Sequence, residues 1–221
     1  MADGKLTPIQ RKILENLSDM EPSFVLSGGG ALVAVHLKHR ETRDLDLFFR
    51  QLQQLGETGN MVRHRLESHG FEVREIQRAP QFQQFRVSEG QESCVVDLIA
   101  EPVDAMEAPV QARIGGASVW VATAHEVLVD KLCTLLSRSE IRDLEDVRML
   151  LDRGGDLERA LEQAPKKDAG FSPLTLAWTL KSFPVRSLGE ASGWSEEKVA
   201  EIETFRQELV GRLLDDTSMA R

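Results

Sequence analysis

Three aspartates are the residues whose type and setting most invite chemistry. Asp44 and Asp46 stand in the run Asp44-Leu45-Asp46-Leu47-Phe48-Phe49. In an extended strand residues two apart share a face. This run therefore projects two carboxylates together and sends Leu45 and Leu47 into a core. Neighbouring carboxylates repel, and burying them unpaired is costly. A divalent cation resolves the conflict, because magnesium takes oxygen ligands and is commonly held by one or two carboxylates plus substrate phosphates. Asp97 is a lone acid in the apolar run Cys94-Val95-Val96-Asp97-Leu98-Ile99, and it would complete a three-carboxylate site. The plainer readings are a solvated strand edge for Asp44 and Asp46, and a capped or salt-bridged core acid for Asp97.

Two further features suit a phosphate. Ser27-Gly28-Gly29-Gly30 joins a short apolar run to an expected helix. Glycine lets backbone N–H groups approach a phosphate, and a helix N-terminus favours negative charge. The alternative is a tight turn that needs positive φ. A P-loop is excluded, since no Gly-Lys-Ser/Thr follows. Lys131 lies inside Val127-Leu128-Val129-Asp130-Lys131-Leu132. It reads either as a snorkelling lysine or as a cation for triphosphate charge. Arg142, Asp143 and Asp146 form a charged face on the next helix, where Arg142 and Asp146 are spaced to pair with each other.

The elements that must position these residues follow from pattern. Thr7-Pro8 predicts a helix start, with Ile9, Ile13, Leu14 and Leu17 on one face. Ser23–Leu26 reads as a strand, Ala31–Leu37 as a helix and Asp44–Phe49 as a strand. A helix over about Thr58–His69 stops at Gly70. Strands are expected at Phe71–Ile76, Phe82–Val87 and Cys94–Ala100, then a hairpin over Val110–Val121 turning at Gly115-Gly116. Thr123-Ala124-His125-Glu126 spells a capping box and opens a helix through Leu136. Helices follow at about Glu140–Leu151, Leu157–Gln163, Pro173–Lys181 and Glu196–Leu214, with the 152–156 region and Pro165–Asp168 as loops. The organisation is an α/β half to about Val121 and an all-helical half after it.

Composition sets the class. A chain of 221 residues with 41% hydrophobic and 29% charged residues can bury a normal core without staples. Cys94 and Cys133 each lie in apolar runs and read as small core residues. The opening Met1-Ala2-Asp3-Gly4-Lys5 lacks a signal-peptide pattern, and no apolar run is long enough to span a membrane. These features predict a cytoplasmic protein. A net charge of −9 argues against broad electrostatic capture of nucleic acid while leaving room for a local basic groove.

Phe24-Val25-Leu26-Ser27-Gly28-Gly29-Gly30-Ala31-Leu32, followed by His39-Arg40-Glu41-Thr42-Arg43-Asp44-Leu45-Asp46-Leu47-Phe48, closely resembles the AbiEii/AbiGii toxin family of the DNA polymerase β-like nucleotidyltransferase superfamily. So does the later block of Lys131 to Arg138 with Arg142-Asp143-Leu144-Glu145-Asp146. The resemblance implies an α+β fold, with a polymerase β-like mixed sheet and helices over residues 1–122 and a helical C-terminal region over 123–221. It implies that Asp44, Asp46 and Asp97 are catalytic and hold Mg2+ or Mn2+. Ser27, Gly28, Gly29, Lys131, Arg142, Asp143 and Asp146 would bind the nucleotide. The implied reaction moves a nucleotide from a nucleoside triphosphate to a hydroxyl on RNA, tRNA included, or on protein. The implied setting is the toxin of a toxin–antitoxin or phage-defence pair, with a cognate antitoxin as partner. Gly30 stands where the family often has a hydroxyl residue, Thr42 where serine is usual, and Arg43 directly precedes the metal carboxylate. The alternatives are a nucleotide-binding module acting through a partner protein and a metal-dependent phosphohydrolase.

Overall fold

In the computed structural model, Thr7 caps the first helix, α1 (Pro8–Leu17), through a full capping box with Gln10. Residues 5–37 and 40–219 are described, with side chains through 215. The opening Met1 to Gly4 and His39 lie outside the described residues. Ile9, Ile13, Leu14 and Leu17 are all buried on one face of α1, as their spacing predicts. Two units form, residues 1–127 and 128–221.

The first unit is built on a seven-stranded mixed sheet. Its strands are β1 (Val25–Ser27), β2 (Asp44–Arg50), β3 (Glu72–Ala79), β4 (Phe82–Glu89), β5 (Glu92–Glu101), β6 (Val110–Ile114) and β7 (Ala117–Val121). Their order is β3-β4-β5-β2-β1-β7-β6. β2 is parallel to β5 and antiparallel to β1, and β1 is parallel to β7. Alternation along the strands sorts the two faces. Leu45, Leu47 and Phe49 of β2, Val96 and Leu98 of β5, and Phe85 and Val87 of β4 are fully buried. α1 and α3 (Thr58–Ser68) pack against each other and on the sheet. The other face carries the half-buried Asp44, Asp46 and Asp97.

Two expectations change. The expected helix at Ala31 begins earlier, at Gly28. It runs as α2 (Gly28–Ala31) and then as a π-helical turn over Leu32–His36, closed by Leu37 N–H donating to Leu32 C=O at 2.8 Å. The His36 ring then meets the Ala122 carbonyl through Nε2 at 2.7 Å, which ties that turn to the end of β7. At Thr123 the hydroxyl accepts from Glu126 N–H at 3.1 Å. The Glu126 carboxylate, fully buried, accepts from Met106 N–H at 2.7 Å and faces Arg50. A tertiary demand for an anion engages the side chain that local pattern assigns to the cap.

The second unit is helical, from Leu128 within α4 (Ala124–Ser137) onward. It continues with α5 (Ile141–Asp152), α6 (Leu157–Lys167), α7 (Pro173–Lys181), α8 (Val185–Ala191) and α9 (Glu196–Met219). α9 packs against α5, α7 and α8. α6 carries on through Pro165, where the sequence suggests a loop. Leu157, Ala160, Leu161 and Ala164 bury one continuous face. Pro165 has no N–H to donate to Leu161 C=O, and the buried face continues across it. α8 is not marked by pattern at all, being short with a glycine near its end.

Candidate active site

The sheet register assembles the acidic site. Ser27 of β1 lies opposite Asp46 of β2, and Asp46 lies opposite Asp97 of β5. The three form one row across three adjacent strands, spaced about 4.8 Å apart. Asp44 shares their face two residues earlier on β2. Neutral donors orient two of the acids. Thr42 Oγ1 donates to Asp44 Oδ1 at 2.7 Å, and Gln84 Nε2 donates to Asp97 Oδ1 at 2.9 Å. Gln84 can do so because β4 places it directly opposite Asp97. Thr42 is itself buried, and its carbonyl accepts from Gln10 Nε2 at 3.0 Å. Gln10, the capping-box partner of Thr7, thus also steadies the segment entering β2.

The glycine turn closes on this row. Gly28 adopts φ +55°, and a Cβ there would stand 2.1 Å from Asp46 Oδ2. No other residue type fits, on grounds of both conformation and space. The Gly28 backbone thereby packs directly against the Asp46 carboxylate. Gly30 has a different purpose. A Cβ on it would meet Leu26 Cδ1 at 2.8 Å and Leu45 Cδ2 at 3.5 Å, so a side chain there would aim into the core. Arg43 is exposed. The donor set of Asp44, Asp46, Asp97 and Ser27 is all oxygen, and with a side-chain-free edge at Gly28 it fits a hard divalent cation.

In the second unit three of the other expected residues, Lys131, Asp143 and Asp146, form a buried ion network. Lys131 is 6% exposed. Its Nζ donates to Asp143 Oδ1 at 2.5 Å and lies 2.9 Å from Asp146 Oδ2. Arg138 adds a bond from Nε to Asp143 Oδ2 at 2.8 Å. Burial by itself lowers the lysine's pKa, but Asp146 and Asp143 outweigh it and the net direction is upward, so the amine stays charged. Asp146 therefore faces Lys131, where helical spacing suggests Arg142. Arg142 is half-buried and makes no ion pair among the described residues. Both cysteines are poor nucleophiles: burial pushes the Cys94 and Cys133 thiols up to about 12. Cys94 is buried as expected, whereas Cys133 is only half-buried.

Sequence reasoning singles out Asp44, Asp46 and Asp97, and the register brings them together. It passes over Gln10 and Gln84, because a neutral amide in a helix or strand carries no pattern until its partner is known.

A family model described as "Nucleotidyl transferase AbiEii toxin, Type IV TA system" matches residues 12–213. Among solved structures, the fold is similar to that of MenT4, a nucleotidyltransferase toxin from Mycobacterium tuberculosis H37Rv. The two share 18% identity over 94% of this chain and 82% of that one, with a TM-score of 0.64. JHP933 from Helicobacter pylori aligns at 20% identity over 96% and 93%, TM-score 0.54. An antigenic nucleotidyltransferase-like protein from Paracoccidioides brasiliensis aligns at 15% over 82% and 92%, TM-score 0.52. No curated protein sequence matches the chain. Among the described residues no helix is long and apolar enough to cross a membrane.

Proposed function

Because the chain belongs to the AbiEii nucleotidyl transferase toxin family, we propose that it moves a nucleotide from a nucleoside triphosphate to a hydroxyl acceptor on RNA or protein, as the toxin of a toxin–antitoxin or phage-defence pair in the cytoplasm. The observation that carries this reading is the row Ser27–Asp46–Asp97 with the Gly28 backbone against Asp46. Asp44, Asp46 and Asp97 would hold Mg2+ or Mn2+. When bound, such an ion screens triphosphate charge and lowers the pKa of the attacking hydroxyl. Thr42 and Gln84 keep their partner carboxylates aimed, so less order has to be created when substrate arrives. Ser27, Gly28 and Gly29 lie where backbone N–H groups can approach phosphate oxygens. Asp97 stands beside Asp46 to assist the acceptor hydroxyl. Lys131, Arg142, Asp143 and Asp146 complete the nucleotide-binding set. Within it Arg142 has no ion partner among the described residues, while Asp143 and Asp146 hold Lys131.

The test is incubation with labelled triphosphates, total RNA and lysate protein. Wild type should give a covalently labelled acceptor and Asp46→Asn none. Phosphate release with no labelled acceptor would overturn the transferase reading in favour of a phosphohydrolase. One observation favours a second reading, a nucleotide-binding module acting through a partner: the Lys131 amine already has two carboxylate partners. That reading predicts triphosphate binding without turnover.

A further inference from the structure

We propose that Arg74 and Arg86 form a phosphate-binding subsite that holds the backbone of a single-stranded RNA acceptor beside the carboxylate row. The inference rests on the transferase reading above and selects RNA from its two acceptor classes. Arg74 of β3 and Arg86 of β4 are directly opposite in the antiparallel ladder. Arg86 is opposite Val95 of β5, and Val95 is opposite Asp44 of β2. The arginines therefore lie in the same row as Asp44 and on the same face as the acidic site. The strand spacing puts them about 10 and 14 Å from β2.

Two like charges directly opposite in a sheet destabilise it. Both arginines are exposed, and neither makes an ion pair among the described residues. Glu72, two residues before Arg74, forms no ion pair with it. The other face of the same ribbon behaves differently. There Arg78 pairs with Glu75 at 3.0 Å and reaches Asn60 of α3 at 3.1 Å. The cation towards the helices is thus neutralised, and the two beside the acidic site are left for an external anion. In a chain of net charge −9 this is a local exception placed next to the proposed reaction centre.

The rest of the face suits a polynucleotide. Gln77 pairs across to Gln84, which lies opposite Asp97 in the next row, and Phe82 lies opposite Ile99 in the row beyond. Amides offer hydrogen bonds to base edges, and an aromatic ring offers a stacking surface. A terminus reacting at Asp46 and Asp97 would run its upstream phosphates over Arg86 and then Arg74. Guanidinium groups match phosphate geometry and stay charged.

The experiment measures fluorescence anisotropy of a short single-stranded RNA with a free 3′ hydroxyl across a salt series. It compares wild type, Arg74→Gln/Arg86→Gln and Arg78→Gln, with triphosphate affinity measured in parallel. We expect the double variant to lose about tenfold or more in RNA affinity. Its log K against log[salt] slope should flatten by ~1.4, the value for two phosphate contacts on a single strand. Triphosphate affinity should stay within twofold, and Arg78→Gln should bind RNA like wild type. An unchanged RNA affinity in a folded double variant overturns the subsite. So does a wild type that labels only protein and shows no salt-dependent RNA binding, and that result leaves the transferase reading standing. Loss of triphosphate binding in Asp46→Asn is scored separately and tests that reading alone.

Discussion

Two acidic constellations, one in each unit, have similar composition and opposite settings. In the helical unit Asp143 and Asp146 face Lys131 at 2.5 and 2.9 Å, with Arg138 added at Asp143. The protein supplies the countercharge itself, and the acids are nearly inaccessible. In the sheet unit Thr42 and Gln84 donate to Asp44 and Asp97 as neutral groups. They orient these two carboxylates through neutral hydrogen bonds, and Asp44, Asp46 and Asp97 remain half-buried. A carboxylate matched by internal cations mainly serves structure. One aimed by a neutral donor on a half-buried strand is what the proposed metal site asks for.

The sharpest way to break this contrast is at the sheet. Asp46→Asn should cut nucleotide incorporation by about 10³ or more, the scale of losing a principal electrostatic element at a reacting phosphate. It should also abolish magnesium or manganese binding by calorimetry while the fold survives. Retained metal binding in that variant would remove the site. The helical constellation should fail differently. Asp146→Ala leaves a buried lysine short of a partner and should cost about 3 kcal/mol of unfolding free energy in a denaturant titration. A loss under 1 kcal/mol would mean that Asp146 is not structural.

Lys131 joins the two halves of the comparison. Lys131→Met keeps most of the apolar stem and removes the charge. If the amine also serves the nucleotide, triphosphate affinity should fall by about one to two decades, the ~1.5–3 kcal/mol of a charge-assisted hydrogen bond. Affinity within a factor of two of wild type would make the lysine purely structural. The smallest expected effect is at Thr42. Thr42→Val should weaken metal binding by about tenfold through loss of the hydrogen bond to Asp44, and Thr42→Ser should restore it. Equal affinities in both variants would show that the hydroxyl does not position the carboxylate.

Several parts of this arrangement are legible without coordinates. Asp-x-Asp with alternating leucines determines that two acids share a face, and the strand shows that alternation from Asp44 to Arg50. The lone acid in an apolar run marks Asp97. The helix start at Thr7 follows from a capping residue and the proline after it. Such signals survive in one dimension because they are short-range: period, cap and turn are fixed by neighbours along the chain. The Glu126 cap departs from its local pattern because Arg50 and the Met106 amide compete for the same carboxylate.

Tertiary structure alone decided the rest. Parallel pairing of β2 with β5 and antiparallel pairing with β1 depend on register, and one residue of slip would have sent Asp97 to the core face. The same register set Gln84 on Asp97, Arg74 on Arg86, and the Gly28 backbone against Asp46. The partner of Lys131 depended on how α4 meets α5 rather than on helical spacing. Sequence determined which residues could carry charge and which face they would share. The folded sheet decided which charges stand side by side, because pairing partners are far apart along the chain and are selected by the whole core.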